Sequence, residues 1–355
     1  MIFYSCKILV LQVLVDDNTF NERKRIMKAL ITGGAGFIGY HLAKELLKHG
    51  YQIVLVDDFS RGVNDAPLEI LQENSYVTLV SLDLSINENI MELGKDFDII
   101  YHLAAIIGVQ NVLAHPYDVL EKNVELLLHM IEFAKYQEHL HRFVFTSTSE
   151  VYAGTLQFYN MQIPTPETTP LTITPLEHPR TSYMLSKIYG EALLQQSGIP
   201  FTIIRPHNFY GPRMGMSHVI PELLKKAYFS EEKSKLEVFS VDHKRTFCYI
   251  SDAVKIIRKL AENKKGENQV FNVGNEFPEV SIREVAETVL KITGKTIMID
   301  AKPASPGSPT RRCPNMEKTY ECIGTVEGIN LYDGIQKTFD WYREYIFEGK
   351  EVSAK

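Results

Sequence analysis

Cysteine is scarce in this 355-residue chain: the four thiols, at 6, 248, 313 and 322, form no CxxC pair and follow no regular spacing. That excludes a disulfide framework and a cysteine zinc site and fits reduced thiols. The eleven histidines form no HExxH, so no metal site is expected. Long apolar runs are missing too. The only one near a terminus, 8–15, is interrupted by Gln12, far short of the roughly 20 residues that span a bilayer. Nor does a secretory leader fit, because Lys7 is the sole early cation and no small-residue cleavage site precedes Asp16 and Asp17. There is no cationic excess: 38 Lys and Arg against 44 Asp and Glu leave a formal charge of −6. No overall basic field exists to hold nucleic acid or an anionic membrane, and any anionic ligand must be caught by a local site.

What remains is ordinary for a globular protein of the cytoplasm, with 45% apolar and 23% charged residues. At roughly 100–200 residues per domain, two domains are expected. Residues 1–26 read as an N-terminal appendage, an upstream start, and Met27 as the beginning of the folded unit. From Lys28, short β-branched runs alternate with longer helical periods, the signature of an α/β fold with a doubly wound parallel sheet. The expected strands are 28–32, 52–56, 77–81, 98–103, 142–147 and 201–205. Between the first two, Phe37, Ile38, Leu42, Leu46 and Leu47 recur at helical spacing and Gly50 stops the helix.

After Arg205, prolines and glycines at 206, 211, 212, 215 and 221, and again at 303, 306, 307 and 309, break the pattern. These segments read as a smaller, interleaved C-terminal lobe. The stretch 246–250, a helix over 252–262 and a strand at 270–273 read as a return to the first lobe. The expected division is therefore 27–205 with 246–275 for the first lobe, 206–245 with 276–346 for the second, and a tail at 347–355.

Residues 33–39 read Gly-Gly-Ala-Gly-Phe-Ile-Gly, between the first strand and the first helix. Glycines permit a tight turn and close backbone approach to a diphosphate, and the helix start adds free N–H groups and a positive dipole end. Gly33, Gly36, Phe37, Ile38 and Gly39 are thus candidate dinucleotide contacts. An acid follows at the end of the second strand, roughly 20 residues on, where a carboxylate receives ribose hydroxyls and repels a 2′-phosphate. Asp57 is preferred over Asp58, and NAD over NADP, although Arg61 nearby offers a route to NADP. Asp83 and Leu84, past the third strand, are candidates for the adenine, with a plain turn as the alternative for Asp83.

Tyr183 and Lys187 stand four apart, on one helix face, where an ammonium can lower a phenol's pKa and make it a usable base. The spacing alone carries little, since Tyr40 and Lys44 share it. The cluster Thr146-Ser147-Thr148-Ser149-Glu150 at the end of the fifth strand adds weight, because ligands of doubly wound sheets lie beyond the strands' carboxyl ends.

With these motifs, His102-Leu103-Ala104-Ala105 and Arg205-Pro206-His207-Asn208-Phe209-Tyr210-Gly211-Pro212, the chain resembles extended short-chain dehydrogenase/reductases of the nucleotide-sugar epimerase, dehydratase and decarboxylase group, over 27–346. The resemblance implies a Rossmann NAD-binding lobe and a nucleotide-sugar-binding lobe. It implies that Tyr183 takes a proton from a sugar hydroxyl, that Lys187 holds the nicotinamide ribose and that Thr148 bonds the same hydroxyl. It places Ala104, Ala105 and Asn123 along the cofactor groove, and Asn208, Arg245 and one of Arg311 and Arg312, with Arg312 preferred, on the nucleotide diphosphate, where a guanidinium pairs well. It also implies a homodimer through the helices bearing Asn123 and Tyr183, with Leu126, Leu127, Met130 and Ile131 as candidate contacts or core.

Within the group, the run 148–152, Arg180 before Tyr183, and Lys244-Arg245-Thr246-Phe247 look most like the UDP-glucuronate decarboxylases. By that likeness Ser149, Glu150 and Arg245 serve the sugar carboxylate and the proton returned to C5, and Arg180 and Tyr152 are candidate substrate contacts. A 4-epimerase and then a 4,6-dehydratase are the alternatives. A non-catalytic NAD sensor stands last, since it needs neither the Tyr/Lys pair nor the hydroxyl. Two departures stand out. Ala153 replaces the usual glycine after Val-Tyr, and the stretch 155–179 is long and rich in Thr and Pro, so that an N-acetylated or otherwise modified uronate is a candidate substrate.

Overall fold

A computed structural model describes residues 25–304 and 309–349 of the chain. Most of the expected N-terminal appendage and of the tail lies outside the described residues. Seven parallel strands form one sheet. The first six are β1 (Lys28–Thr32), β2 (Gln52–Asp57), β3 (Val77–Ser81), β4 (Ile99–His102), β5 (Arg142–Thr146) and β6 (Phe201–Pro206). The seventh, Gln269–Val273, pairs with β6 and closes the order β3-β2-β1-β4-β5-β6-Gln269–Val273. The strands are continuous apolar runs because helices cover both faces.

The order reverses between β1 and β4, so a crevice opens beyond their carboxyl ends, where such sheets take ligands. β4 is shorter than expected at both ends. Asp98 closes one end, its amide donating to the Lys28 carbonyl at 2.9 Å and its carboxylate accepting the Lys28 amide at 2.7 Å, and at the other end the Leu103 amide donates to the Thr32 carbonyl at 3.3 Å. The 246–250 stretch does not join the main sheet, whose edge at β6 is already taken by Gln269–Val273. Instead Cys248–Tyr249 pairs with Phe209–Tyr210 in a separate two-stranded piece.

Two apolar clusters sandwich the sheet. On one face, Leu42 and Leu46 of α1 (Phe37–Lys48) meet Ile256, Ile257 and Leu260 of the helix Ile250–Glu262. That cluster runs on without a break into the second lobe through Ile220, Leu224, Val285 and Val289. On the other face, Leu127, Met130 and Phe133 of the helix Pro116–Lys135 and Leu194 of the helix Arg180–Gln196 pack on Phe143, Phe145 and Ile203. Each such side chain contributes about 1.5–3 kcal/mol. Leu127, Met130 and Ile131 are buried and Leu126 is partly buried against this cluster, so these positions are core and not an exposed apolar face.

The second lobe adds the parallel pair Lys235–Phe239 and Met298–Lys302, and a three-stranded piece in which Lys244–Arg245 runs between Val280–Ser281 and Arg311–Arg312.

Candidate active site

The glycine turn sits at the switch point. Gly33 has φ +68°, and a Cβ there would stand 3.0 Å from the Ala104 amide nitrogen; one at Gly39 would collide with the Gly33 carbonyl. Turn, helix start and the segment after β4 therefore meet backbone to backbone, with Phe37 and Ile38 opening α1. Thr32 organises the meeting: its hydroxyl binds His102 Nδ1 at 2.9 Å and accepts from the Leu103 and Ala104 amides, both at 3.2 Å. Sequence reasoning passed over Thr32, whose signal was a polar residue closing an apolar strand just before glycine.

Asp57 is buried, accepting the Ala35 amide at 3.0 Å and the Phe59 amide at 3.0 Å. Its carboxylate ties the glycine turn to the loop after β2 and keeps further lone pairs for a hydroxyl partner. Burial raises its pKa, and the two amides oppose this. Asp58 is exposed and bonds the Ser60 amide and hydroxyl. Asp83 caps a turn through the Ser85 amide at 2.8 Å, and the Leu84 side chain is buried in the core. Arg213, also unforeseen, crosses from the second lobe to pair with Asp65 at 2.7 Å and to donate to the Ala35 carbonyl at 3.3 Å. A cradle too tight for side chains, at the mouth of a helix, beside a carboxylate, is the donor set a dinucleotide requires.

At the ends of β5 and β6 lies the second half of the site. Thr148 caps the short turn Ser149–Tyr152 through the Glu150 amide at 3.2 Å, and its hydroxyl lies close enough to the Tyr183 phenol to lower its pKa. The buried Lys187 ammonium donates to the Thr146 carbonyl at 2.9 Å and lies 5.8 Å from the Tyr183 ring centre. Burial brings Lys187 down to about 7, with the Glu191 carboxylate opposing. Burial and the Glu150 charge hold Tyr183 above the ordinary tyrosine range, and the neighbouring Thr148 hydroxyl and the Arg61 charge pull it back. Asn123 clamps Ile106 by both amide atoms, at 2.7 and 3.1 Å, and reaches Ser186 of the Tyr183 helix at 3.4 Å. It thereby fixes the stretch that carries Ala104 and Ala105.

Above Tyr183, Glu150 pairs with Arg180 at 3.3 Å. Arg312 is near enough to feel both charges, and burial lowers its pKa. No carboxylate lies within ion-pairing distance of Arg312 among the described residues, whereas Arg311 is spent on Glu279 at 2.7 Å. Arg245 stands opposite Arg312 in the strand register. Burial first, and then Arg312, lower Arg245 to about 10. Arg245 and Asn208 line a cavity of about 280 Å³ whose wall includes Val238, Phe239 and Phe247. Ser149 is buried beside Glu150.

Tyr152 is placed elsewhere than expected. Its hydroxyl accepts from Arg205 at 2.7 Å and donates to Asn272 at 2.9 Å, with almost no exposed surface, so it supports the floor of the site and does not line a pocket. Arg205 in turn forms a two-pronged bond to Glu191, at 2.9 and 2.6 Å, and Glu191 takes the Ser147 hydroxyl. This buried pair was missed, although an arginine closing an apolar strand and a glutamate four residues past Lys187 were both visible.

The family described as NAD dependent epimerase/dehydratase matches residues 29–274. The chain belongs to that family. It is 32% identical to a UDP-N-acetyl-alpha-D-glucosaminuronate decarboxylase of Bacillus cytotoxicus, across 89% of this chain and 98% of that enzyme. It is 29% identical to UDP-glucuronic acid decarboxylase 1 of Arabidopsis thaliana, across 93% and 72%. Among solved structures, a UDP-glucuronic acid 4-epimerase of Bacillus cereus, in complex with UDP-glucuronic acid and NAD, superimposes with a TM-score of 0.75 at 27% identity, across 90% and 99%. A family member of this kind is an NAD-dependent enzyme acting on nucleotide sugars. No helix among the described residues is long and apolar enough to cross a membrane.

Proposed function

We propose that the protein is a UDP-uronate decarboxylase, acting on UDP-glucuronate or its 2-N-acetyl relative. The observation that carries this reading is the Glu150–Arg180 pair at 3.3 Å, close enough for its charges to act on Arg312 and for the Glu150 charge to act on Tyr183. An epimerase must only turn a 4-keto sugar over, which calls for no carboxylate beside the base. Decarboxylation calls for a cationic seat for the sugar's own carboxylate and for an acid that protonates C5 afterwards.

NAD, held by the glycine turn and Asp57, would supply a reversible hydride acceptor at C4. Tyr183 takes the proton of the C4 hydroxyl, with Thr148 fixing that oxygen, and returns it at the end. Lys187, 5.8 Å from the Tyr183 ring centre, holds the nicotinamide ribose beside that oxygen. The ketone at C4 makes the C5 carboxylate a β-keto acid; Arg312 seats that carboxylate until the C5–C6 bond breaks and CO2 leaves. A proton from solvent, relayed at the Glu150 carboxylate that Arg180 positions, then reaches C5, while Ser149 steadies the oxygens. Arg245 and Asn208 take the diphosphate and nucleotide in the adjoining cavity, which is how a chain of charge −6 holds a dianion.

The reading extends to the cytoplasm as its place of work and to a homodimer joined by the helices Pro116–Lys135 and Arg180–Gln196. Tyr117 and Leu128, eleven residues apart on one helix face, and Tyr189 on the other helix are their exposed apolar positions.

Incubation with NAD and a panel of UDP- and GDP-sugars, read by mass, tests the reaction. Loss of CO2 with no net NADH is expected from UDP-glucuronate or its N-acetyl analogue. An unchanged mass at a new retention time would identify a 4-epimerase, loss of water a dehydratase, and no change in either uronate would defeat the decarboxylase reading.

A further inference from the structure

Arg61 stands four residues after Asp57, on the loop that leaves β2. Its guanidinium does not turn back toward the Asp57 carboxylate, where a 2′-phosphate would need it. It reaches across the switch point instead, and Nη1 donates to the Ile107 carbonyl at 2.6 Å. That carbonyl belongs to the segment after β4, which is held on its other side: Thr32 fixes its first two amides and Asn123 clamps Ile106 at both backbone atoms. Gly108 follows with φ +100°, and a Cβ placed there would stand 3.5 Å from both terminal guanidinium nitrogens, so the guanidinium lies in contact range of the backbone at this point. The charge of Arg61 is felt by Tyr183 on one side and by His218 of the second lobe on the other.

The sheet order gives this bond its meaning. β1 and its glycine turn lie between β2 and β4, so a link from the β2 loop to the β4 segment passes over the mouth of α1. A dinucleotide's diphosphate rests at that mouth. A guanidinium has five N–H donors in a fixed fork; one is used on Ile107, and the others are available to diphosphate oxygens.

We propose that Arg61 is the latch of the cofactor groove: its bond to Ile107 joins the two walls over the dinucleotide's diphosphate, and the cofactor leaves only when that bond opens. Arg61 is thus a positioning residue for the cofactor, whichever sugar reaction the enzyme performs.

The test uses the full chain and two variants, Arg61→Met and Arg61→Lys. NADH dissociation is followed by stopped-flow fluorescence on displacement with excess NAD, and amide hydrogen exchange of 104–108 is measured with and without cofactor. The Arg61 side chain is exposed, so both variants should melt with the wild type. Loss of one charge-assisted bond predicts NADH release about tenfold faster or more in Arg61→Met. Arg61→Lys keeps the charge without the fork and should release nearly as fast. Bound cofactor should slow exchange at 104–108 in the wild type and fail to do so in Arg61→Met. The latch is overturned if release in Arg61→Met stays within about twofold of wild type. It is also overturned if Arg61→Lys restores the wild-type rate, or if exchange slows equally in both proteins, for then Arg61 is a counter-ion only.

Discussion

Lys187 keeps its ammonium where little water reaches it, and that costs stability in a pH-dependent way. Its folded value is about 7 against an ordinary 10.5. Between these values the unfolded chain binds a proton that the folded one does not, so stability rises with pH. From pH 7 to 9 the gain from this group is about 2 kcal/mol. Chemical denaturation at the two pH values should show it in the wild type and not in Lys187→Met. Replacing Tyr183 by Phe removes the group that carries the hydroxyl proton, and should cut turnover by about a thousandfold or more while leaving NAD affinity, measured by calorimetry, unchanged. Turnover within tenfold of wild type would remove Tyr183 from the proposed chemistry. Glu150→Gln keeps the shape of the Arg180 contact but loses the proton. On the decarboxylase reading it should slow CO2 release by about a hundredfold, whereas a purely structural Glu150 would leave the rate intact.

At the scale of elements, the strand and helix pattern was legible because the strands of the main sheet are short apolar runs, several of them closed by glycine or by an acid, as at Gly33, Asp57 and Gly274. The glycine turn and the Tyr183–Lys187 face were legible for the same reason: each is a short-range spacing. What stayed hidden was pairing over distance. Arg205 and Glu191 lie on a strand and a helix that meet only after folding, and Tyr152 was read as a substrate contact because nothing local tells that its hydroxyl points to Asn272. The long stretch 155–179 was legible as a departure but not in its effect. Thr165 bridges Pro314 and exchanges backbone bonds with Cys313 and Asn315, and Glu167 accepts the Asn272 amide at 2.7 Å, so the stretch is stitched to both lobes. Nor was the shift of glycine by one place: Ala153 opens a short helix, and it is Gly154 that meets the Thr172 carbonyl too closely for any Cβ. Gly154→Ala should therefore lower the melting temperature measurably, and an unchanged Tm would show that 155–179 moves aside. For the proposed dimer, Leu128→Asp places a charge on the apolar helix face and should yield monomers in sedimentation; an unchanged dimer would put the interface elsewhere.

For the whole molecule, acid weakens the fold. His102 and His207 are buried, and burial first, then Lys187 for His102 and Arg312 for His207, lowers each to about 3 from 6.5. Below pH 6.5 the unfolded chain takes up protons that these rings refuse, so stability falls as pH falls toward 3. Between pH 6.5 and 5 the two together should remove about 3 kcal/mol. A slope of unfolding free energy corresponding to fewer than one proton in that window would contradict this. The order of segments along the chain has a consequence of another kind. The polypeptide runs from the main sheet at Pro206 into the second lobe, returns through Ile250–Glu262 and Gln269–Val273, and leaves again at Val280, while one apolar cluster joins both lobes. A single crossover at Pro206 therefore carries Ile250–Glu262 and the main-sheet strand Gln269–Val273 along with the second lobe. On the proposed reading, in which the second lobe receives the nucleotide sugar, moving that lobe alone takes separate exchanges on either side of residues 250–273, so point changes are the shorter route to a new substrate in this scaffold.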